Sequence, residues 1–148
     1  MVVKWMRRFA HKGKEDREIL ALREDICRGL EQGDYASECL AAYYWVCNPN
    51  NVRYMRDPTG AEYVKEPIRT VETGAGDCDD IATLLAALLL AMGNRCRFAL
   101  VSLDHPGQPT HVFVEVATPT GYRALDPVAH ENTASMLARV RTKKVVNL

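Results

Sequence analysis

An α+β domain is what these 148 residues predict. Three observations carry that expectation. Apolar residues recur at helical spacing through residues 15–46. A stretch apolar nearly all round follows Cys78. After Gly93 the apolar period switches from that of a helix to that of a strand.

The first expected element is EDREILALREDICRGLE, residues 15–31. Ile19, Leu22, Ile26 and Leu30 fall on one helical face, and Gly33 stops the run. Asp34 is a suitable cap for a second helix through Val46, ended by Asn48-Pro49-Asn50-Asn51. Tyr43, Tyr44 and Trp45 in that helix read as packing. Residues 52–76 hold Pro58, Gly60, Pro67, Gly74 and Gly76 and read as irregular. A loop that long inside a compact domain is often functional. Cys78 to Met92 reads as a long buried helix, with Asp77 as N-cap and Gly93 just past its end. Arg95–Leu103 is a strand, DHPGQPT a loop, and His111–Val116 an alternating second strand. Ala117–Gly121 is a turn, and Tyr122–Asp126 a third strand stopped by Pro127. A last short helix is expected over Thr133–Arg141.

Hydrophobic residues make up 47 % of the chain, enough for an ordinary core. The organisation expected is a single domain over residues 15–148 preceded by a basic arm, 1–14. The net charge is zero, so nothing pushes the whole chain toward nucleic acid or membrane. Its distribution is uneven. Lys4, Arg7, Arg8, Lys12 and Lys14 stand at one end, and Arg139, Arg141, Lys143 and Lys144 at the other, with an acidic body between. These ends read as solvated termini, and no motif points to a nucleic-acid partner. The five cysteines are Cys27, Cys39, Cys47, Cys78 and Cys96. Their odd count and the lack of a secretory pattern lead us to expect free thiols in a cytoplasmic, reducing setting. No pair has CxxC spacing, so no metal is expected. The longest near-apolar run, Ile81–Met92, suits a buried helix and is too short for a membrane span.

Cys78 is the residue with chemistry to offer. It opens a helix after a glycine-containing loop, where exposed N–H groups and the positive end of the dipole favour a thiolate. Asp77, Asp79 and Asp80 push the other way, so ionisation near neutral pH needs an imidazolium partner. Alone, a cysteine here is better explained by packing. The partner changes the balance. A hairpin with its turn at residues 117–120 sets Val116 opposite Gly121 and His111 opposite Asp126. Cross-strand neighbours lie about 4.5–5.5 Å apart at Cβ, within reach of an imidazole–carboxylate hydrogen bond. A slip of two residues keeps the pair as diagonal neighbours on the same face. His111 would then serve the thiol while Asp126 holds its tautomer. His11, His105 and His130 read as arm or loop residues, and Cys27, Cys39, Cys47 and Cys96 as core.

Three of these segments together resemble the transglutaminase-like superfamily. GDCDDIATLLAALLLAMG is similar to its cysteine helix, HVFVEV to its histidine strand and GYRALDPV to its aspartate strand, in the family's order. The resemblance covers about residues 70–128. RYMRDPTGAEYVKEP also resembles short bacteriophage- and prophage-encoded members. The resemblance implies a papain-like core, a cysteine-bearing helix on an antiparallel sheet. It implies a Cys78–His111–Asp126 triad with Asp80 as the motif's second acid. It further implies thiol-dependent acyl transfer on protein or peptide amides, by hydrolysis or crosslinking, with no cofactor. Two departures stand out. Val112 follows His111 where an aromatic is frequent, and the oxyanion aromatic has only Tyr54 and Trp45 as candidates. The rival expectation is an inert module of the same fold with a structural or assembly role, as in a phage particle.

Overall fold

A computed structural model of the chain describes residues 3–56 and 63–148. The phage-like segment 53–67 and the loop expected over 52–76 both include residues 57–62, and this part lies outside the described residues. So do residues 1–2 of the expected arm.

Helix α5 (Cys78–Ala91) is the axis of the molecule. Ile81, Ala82, Leu84, Leu85, Leu88 and Leu89 are all at most 3 % exposed, so the helix is wrapped on every side. Its start is fixed by a reciprocal cap. The Asp77 carboxylate accepts the Asp80 N–H at 3.1 Å, and Asp80 accepts the Asp77 N–H at 3.2 Å. Met92 caps the other end, and Gly93 turns the chain with φ of 85°.

Four antiparallel strands cover one side of α5: β3 (Cys96–Leu103), β4 (His111–Thr118), β5 (Gly121–Leu125) and β6 (Val140–Asn147). Their spatial order is β5-β4-β3-β6. Phe98, Leu100, Val112, Val114 and Leu125 alternate toward the helix and join its core. The opposite sheet face buries Ala99, Val101 and Phe113 under Met136 of α6 (Thr133–Ala138). Helices α1 (Val3–Gly13), α2 (Arg17–Ile26), α3 (Tyr35–Cys47) and α4 (Pro67–Thr73) pack round the rest of α5. The fold is thus α+β, a cysteine-bearing helix on an antiparallel sheet.

Four expectations need correction. Residues 3–13 are not a free arm: they form α1, with Met6 and Ala10 fully buried in the core. The basic side chains conceal this, because they occupy only its outer face. The C-terminal basic stretch is β6, paired with β3 from Val140 to Asn147, so the last helix stops at Ala138. The described part of 52–76 is not wholly irregular. It contains β1 (Arg53–Tyr54), α4, and β2 (Ala75–Gly76) parallel to β1. Proline in the first turn starts α4 and left-handed Gly74 ends it. Finally, α2 ends at Ile26, and Leu30 is 37 % exposed rather than core.

Candidate active site

Asp126 is the best-satisfied polar residue in the molecule's interior. Its side chain is 1 % exposed. Oδ1 accepts the backbone N–H groups of Val128 and Ala129 at 3.1 and 3.2 Å. Oδ2 lies 2.5 Å from Nε2 of His111. Its carbonyl oxygen takes the His130 N–H at 2.7 Å and the Tyr43 hydroxyl at 3.4 Å. A carboxylate can stay buried on such terms because donors replace its lost water. Asp126 therefore both begins a turn after Leu125 and holds an imidazole.

The hairpin achieves this with a different register from the one expected. The turn is the two residues Pro119-Thr120, so Thr118 pairs with Gly121 and Val114 with Leu125. Thr118 Oγ1 closes the turn by donating to the Gly121 carbonyl at 2.6 Å. The shift of two leaves His111 and Asp126 diagonal rather than opposite. Parity is kept, so they still share a face. The ring of His111 is 12 % exposed.

Cys78 opens α5, partly buried. Its sulfur has the Val112 N–H beside it. The sheet explains why that amide is available. Ala117 donates to Arg95 on the β3 side, so alternation turns even-numbered β4 amides toward β5. The β5 ladder reaches only Leu125, opposite Val114, which leaves Val112 beyond its end. Sequence reasoning missed this donor, which depends on where β5 stops. The thiol lies 3.7 Å from Asp79 Oδ1. No hydrogen bond links the sulfur to His111, although His111 and Val112 are adjacent in the chain.

Burial joins the acids that the sequence set against the thiolate. Burial, then the Asp79 carboxylate, with Asp77 adding to it, push the Cys78 thiol up to about 12, against the opposing pull of the Val112 N–H. Cys78 is thus a protonated thiol at neutral pH in this arrangement.

The remaining candidates stand apart. Asp80 is fully buried, and both of its oxygens bind backbone. Oδ1 accepts the Lys65 N–H at 2.8 Å, tying the segment before α4 to the start of α5. Gly76 lies so close that an added Cβ would come within 2.6 Å of the Asp80 Cβ. Tyr54 is 47 % exposed on β1, paired with Gly76, two residues before Cys78. Trp45 is part-buried against the core, on α3. Of the other histidines, His130 begins a 3-10 turn, His130–Asn132, and His11 lies on α1. Among the described residues no cluster of three or more His, Cys, Asp or Glu side chains is placed to hold a metal. None of their helices is long and apolar enough to cross a membrane.

Comparison with solved structures finds the same fold elsewhere. A candidate protease from Parabacteroides distasonis ATCC 8503 superposes with a TM-score of 0.68 at 17 % identity. The alignment covers 96 % of this chain and 28 % of that one, so this chain spans under a third of its length. Calcium-bound LapG of Legionella pneumophila gives 0.63 at 20 % identity, over 95 % of this chain and 81 % of LapG. A candidate cysteine protease from Cytophaga hutchinsonii gives 0.57 at 18 %, over 88 % and 51 %. At these identities the likeness is one of fold. No curated protein matches the sequence significantly. The family model for the transglutaminase-like superfamily matches residues 22–127, a span that takes in the α5 cysteine, the β4 histidine and the aspartate after β5. By that match, over well more than half its length, the chain belongs to the transglutaminase-like superfamily.

Proposed function

We propose that this protein performs thiol-dependent acyl transfer on protein or peptide amides, with Cys78 as nucleophile, His111 as base and Asp126 as orienting acid. The observation that carries this reading is the His111–Asp126 pair. A ring nitrogen bonded at 2.5 Å to a buried carboxylate lies one residue from the amide beside the Cys78 sulfur.

The raised thiol pKa shapes the mechanism. A preformed thiolate is disfavoured, so the proton leaves as the carbonyl is attacked. Asp126 occupies Nε2, which leaves Nδ1 of His111 to take the thiol proton. Sulfur bonds to the carbonyl carbon, and its oxygen gains negative charge. In this reading N–H groups at the start of α5 meet that charge, with Tyr54 a further candidate donor through its place beside Gly76. His111 returns the proton to the leaving amine, and a thioester remains on Cys78. Water then gives hydrolysis, and an amine gives a new amide.

A second reading has an observation in its favour. The thiol pushed up to about 12 and the missing Cys78–His111 hydrogen bond suit an inert module of the same fold. The phage resemblance of residues 53–67 makes particle assembly the form that role would take.

Acetylation of Cys78 by p-nitrophenyl acetate separates the two, followed by p-nitrophenol release and intact mass. The enzyme reading expects one acetyl group on Cys78, formed about 100-fold or more faster than in His111→Ala. Equal rates in parent and His111→Ala would sink it and promote the inert module.

A further inference from the structure

A cleft of about 270 Å³ opens beside His111, against α6. Leu103, Val128, Ala129 and Met136 form its walls and His111 one end. Cys78 does not line it. Resting on the acyl-transfer reading above, we infer that this cleft receives an apolar side chain on the leaving-group side of the scissile amide.

The placement follows from the proton's route. One imidazole must take the thiol proton and then deliver it to the departing nitrogen. That nitrogen, and the residue attached to it, must therefore lie against His111. The cleft that His111 itself walls, and that excludes the nucleophile, is the place for that residue. Its chemistry follows from the lining. Four apolar side chains favour a hydrocarbon group by removing its surface from water. No residue lining the cleft is acidic. The one ion at its edge is cationic, Arg139, whose guanidinium is turned to Asp104 through bonds of 3.0 and 2.6 Å. A diamine such as cadaverine would bring its second ammonium into a cleft with no acidic lining and an arginine beside it.

The cleft is also built rather than incidental. Among the described residues, only Asp104 and His130 hold a left-handed φ without being glycine, at 70° and 44°. Both belong to its supports. Asp104 bonds Arg139 through side chain and backbone. His130 donates its N–H to the Asp126 carbonyl and starts the turn leading to α6. Strained backbone persists where surrounding contacts over-determine it. Asp126 thus fixes the imidazole with one oxygen and the Val128–Ala129 wall with the other.

The test runs the reaction from the acyl-enzyme. Cys78 is acetylated with p-nitrophenyl acetate and confirmed by intact mass. Leucinamide, glycinamide and cadaverine then compete at equal concentration. In each transfer the thioester C–S bond breaks, a C–N bond forms, and the amine proton passes through His111 to the sulfur. The N-acetyl products are counted by mass spectrometry. We expect acetyl-leucinamide to exceed acetyl-glycinamide by about 10-fold or more. Cadaverine should do no better than glycinamide. Ser135 is exposed on α6 and lines the cleft. Ser135→Phe should therefore bring the leucinamide-to-glycinamide ratio toward one. Ser135→Leu takes its place should the phenylalanine variant not fold. A ratio near one in the parent, a ratio unchanged in the Ser135 variant, or a preference for cadaverine would overturn the inference while leaving the nucleophile intact. Absence of acetyl-Cys78 would overturn the functional reading and this inference with it.

Discussion

The two halves of the candidate site are built on opposite electrostatic plans. On the imidazole side, the buried Asp126 meets a ring nitrogen and two backbone N–H groups. On the thiol side, Asp79 and Asp77 stand near Cys78, and burial adds to their effect. The same acids serve the helix: Asp77 caps it and Asp80 answers the cap. What stabilises the start of α5 therefore opposes a thiolate there. Under the acyl-transfer reading proposed above, an anchored imidazole and a reluctant thiol would suit moving a proton during attack rather than storing a thiolate beforehand.

The largest effect should come from breaking the imidazole side. Asp126→Ala removes the acceptor of two buried N–H groups and should cost about 3 kcal/mol or more in a urea melt. Asp126→Asn keeps an oxygen for Val128 and Ala129 but presents an amide N–H to His111. Its stability should stay closer to the parent, while Cys78 acetylation falls by about 10³-fold through the wrong tautomer. Parent-like acetylation in Asp126→Asn would show that the carboxylate does not orient the base. Next in size, Gly76→Ala should disturb the thiol side through shape alone. Its Cβ would come within 2.6 Å of the Asp80 Cβ, so a loss of about 1–3 kcal/mol is expected, read as a lowered Tm. An unchanged Tm would mean the loop before α5 yields freely.

Legibility followed the range of the interactions. α5 was readable because its cap, apolar body and Gly93 are local signals. The strands alternate, so His111 and Asp126 could be put on one face. Their register could not, since the Pro119-Thr120 turn closes two residues tighter than expected. Parity rescued the pairing, because a shift of two returns side chains to the same face. The site's other parts depend on distant segments. Val112 offers its N–H only because β5 ends at Leu125, and Asp80 is spent on Lys65, fifteen residues away. α1 hid behind its charge: Met6 and Ala10 are too few to mark a buried face among Lys4, Arg7, Arg8, His11 and Lys12. β6 was hidden likewise, as an edge strand whose Arg141, Lys143 and Lys144 are exposed.

A smaller effect should follow from easing the thiol side. Asp79→Asn removes the negative charge that ranks next to burial in raising the Cys78 thiol. The thiol pKa should fall, so iodoacetamide labelling of Cys78 at pH 8 should quicken, by roughly 3- to 10-fold. A labelling rate equal to or below the parent's would mean that Asp79 serves the sulfur as a hydrogen-bond partner more than it burdens it as a charge.

The last effect concerns Asp80, and its sign separates helix support from chemistry. Burial raises its pKa from 3.8 to about 6, with Asp77 adding to the rise, while the N–H groups of Lys65 and Asp77 pull it down. A carboxyl that holds its proton more tightly when folded contributes stability that is complete below its unfolded pKa. That contribution is lost as pH rises through the folded value. The stability of the parent relative to Asp80→Asn should therefore decline between about pH 4 and pH 7. The asparagine cannot titrate, and acids distant from Asp80 are common to both proteins, so the difference reports Asp80 together with its interaction with Asp77. Asparagine retains an oxygen for the Lys65 N–H but loses the acceptor for the Asp77 N–H, a cost of about 1 kcal/mol that does not vary with pH. Urea melts of both proteins at half-unit pH steps would give the difference curve. A curve that is flat, or that rises with pH, would mean the two backbone donors outweigh burial at Asp80. The first turn of α5 would then carry a settled negative charge on Asp80 throughout the neutral range.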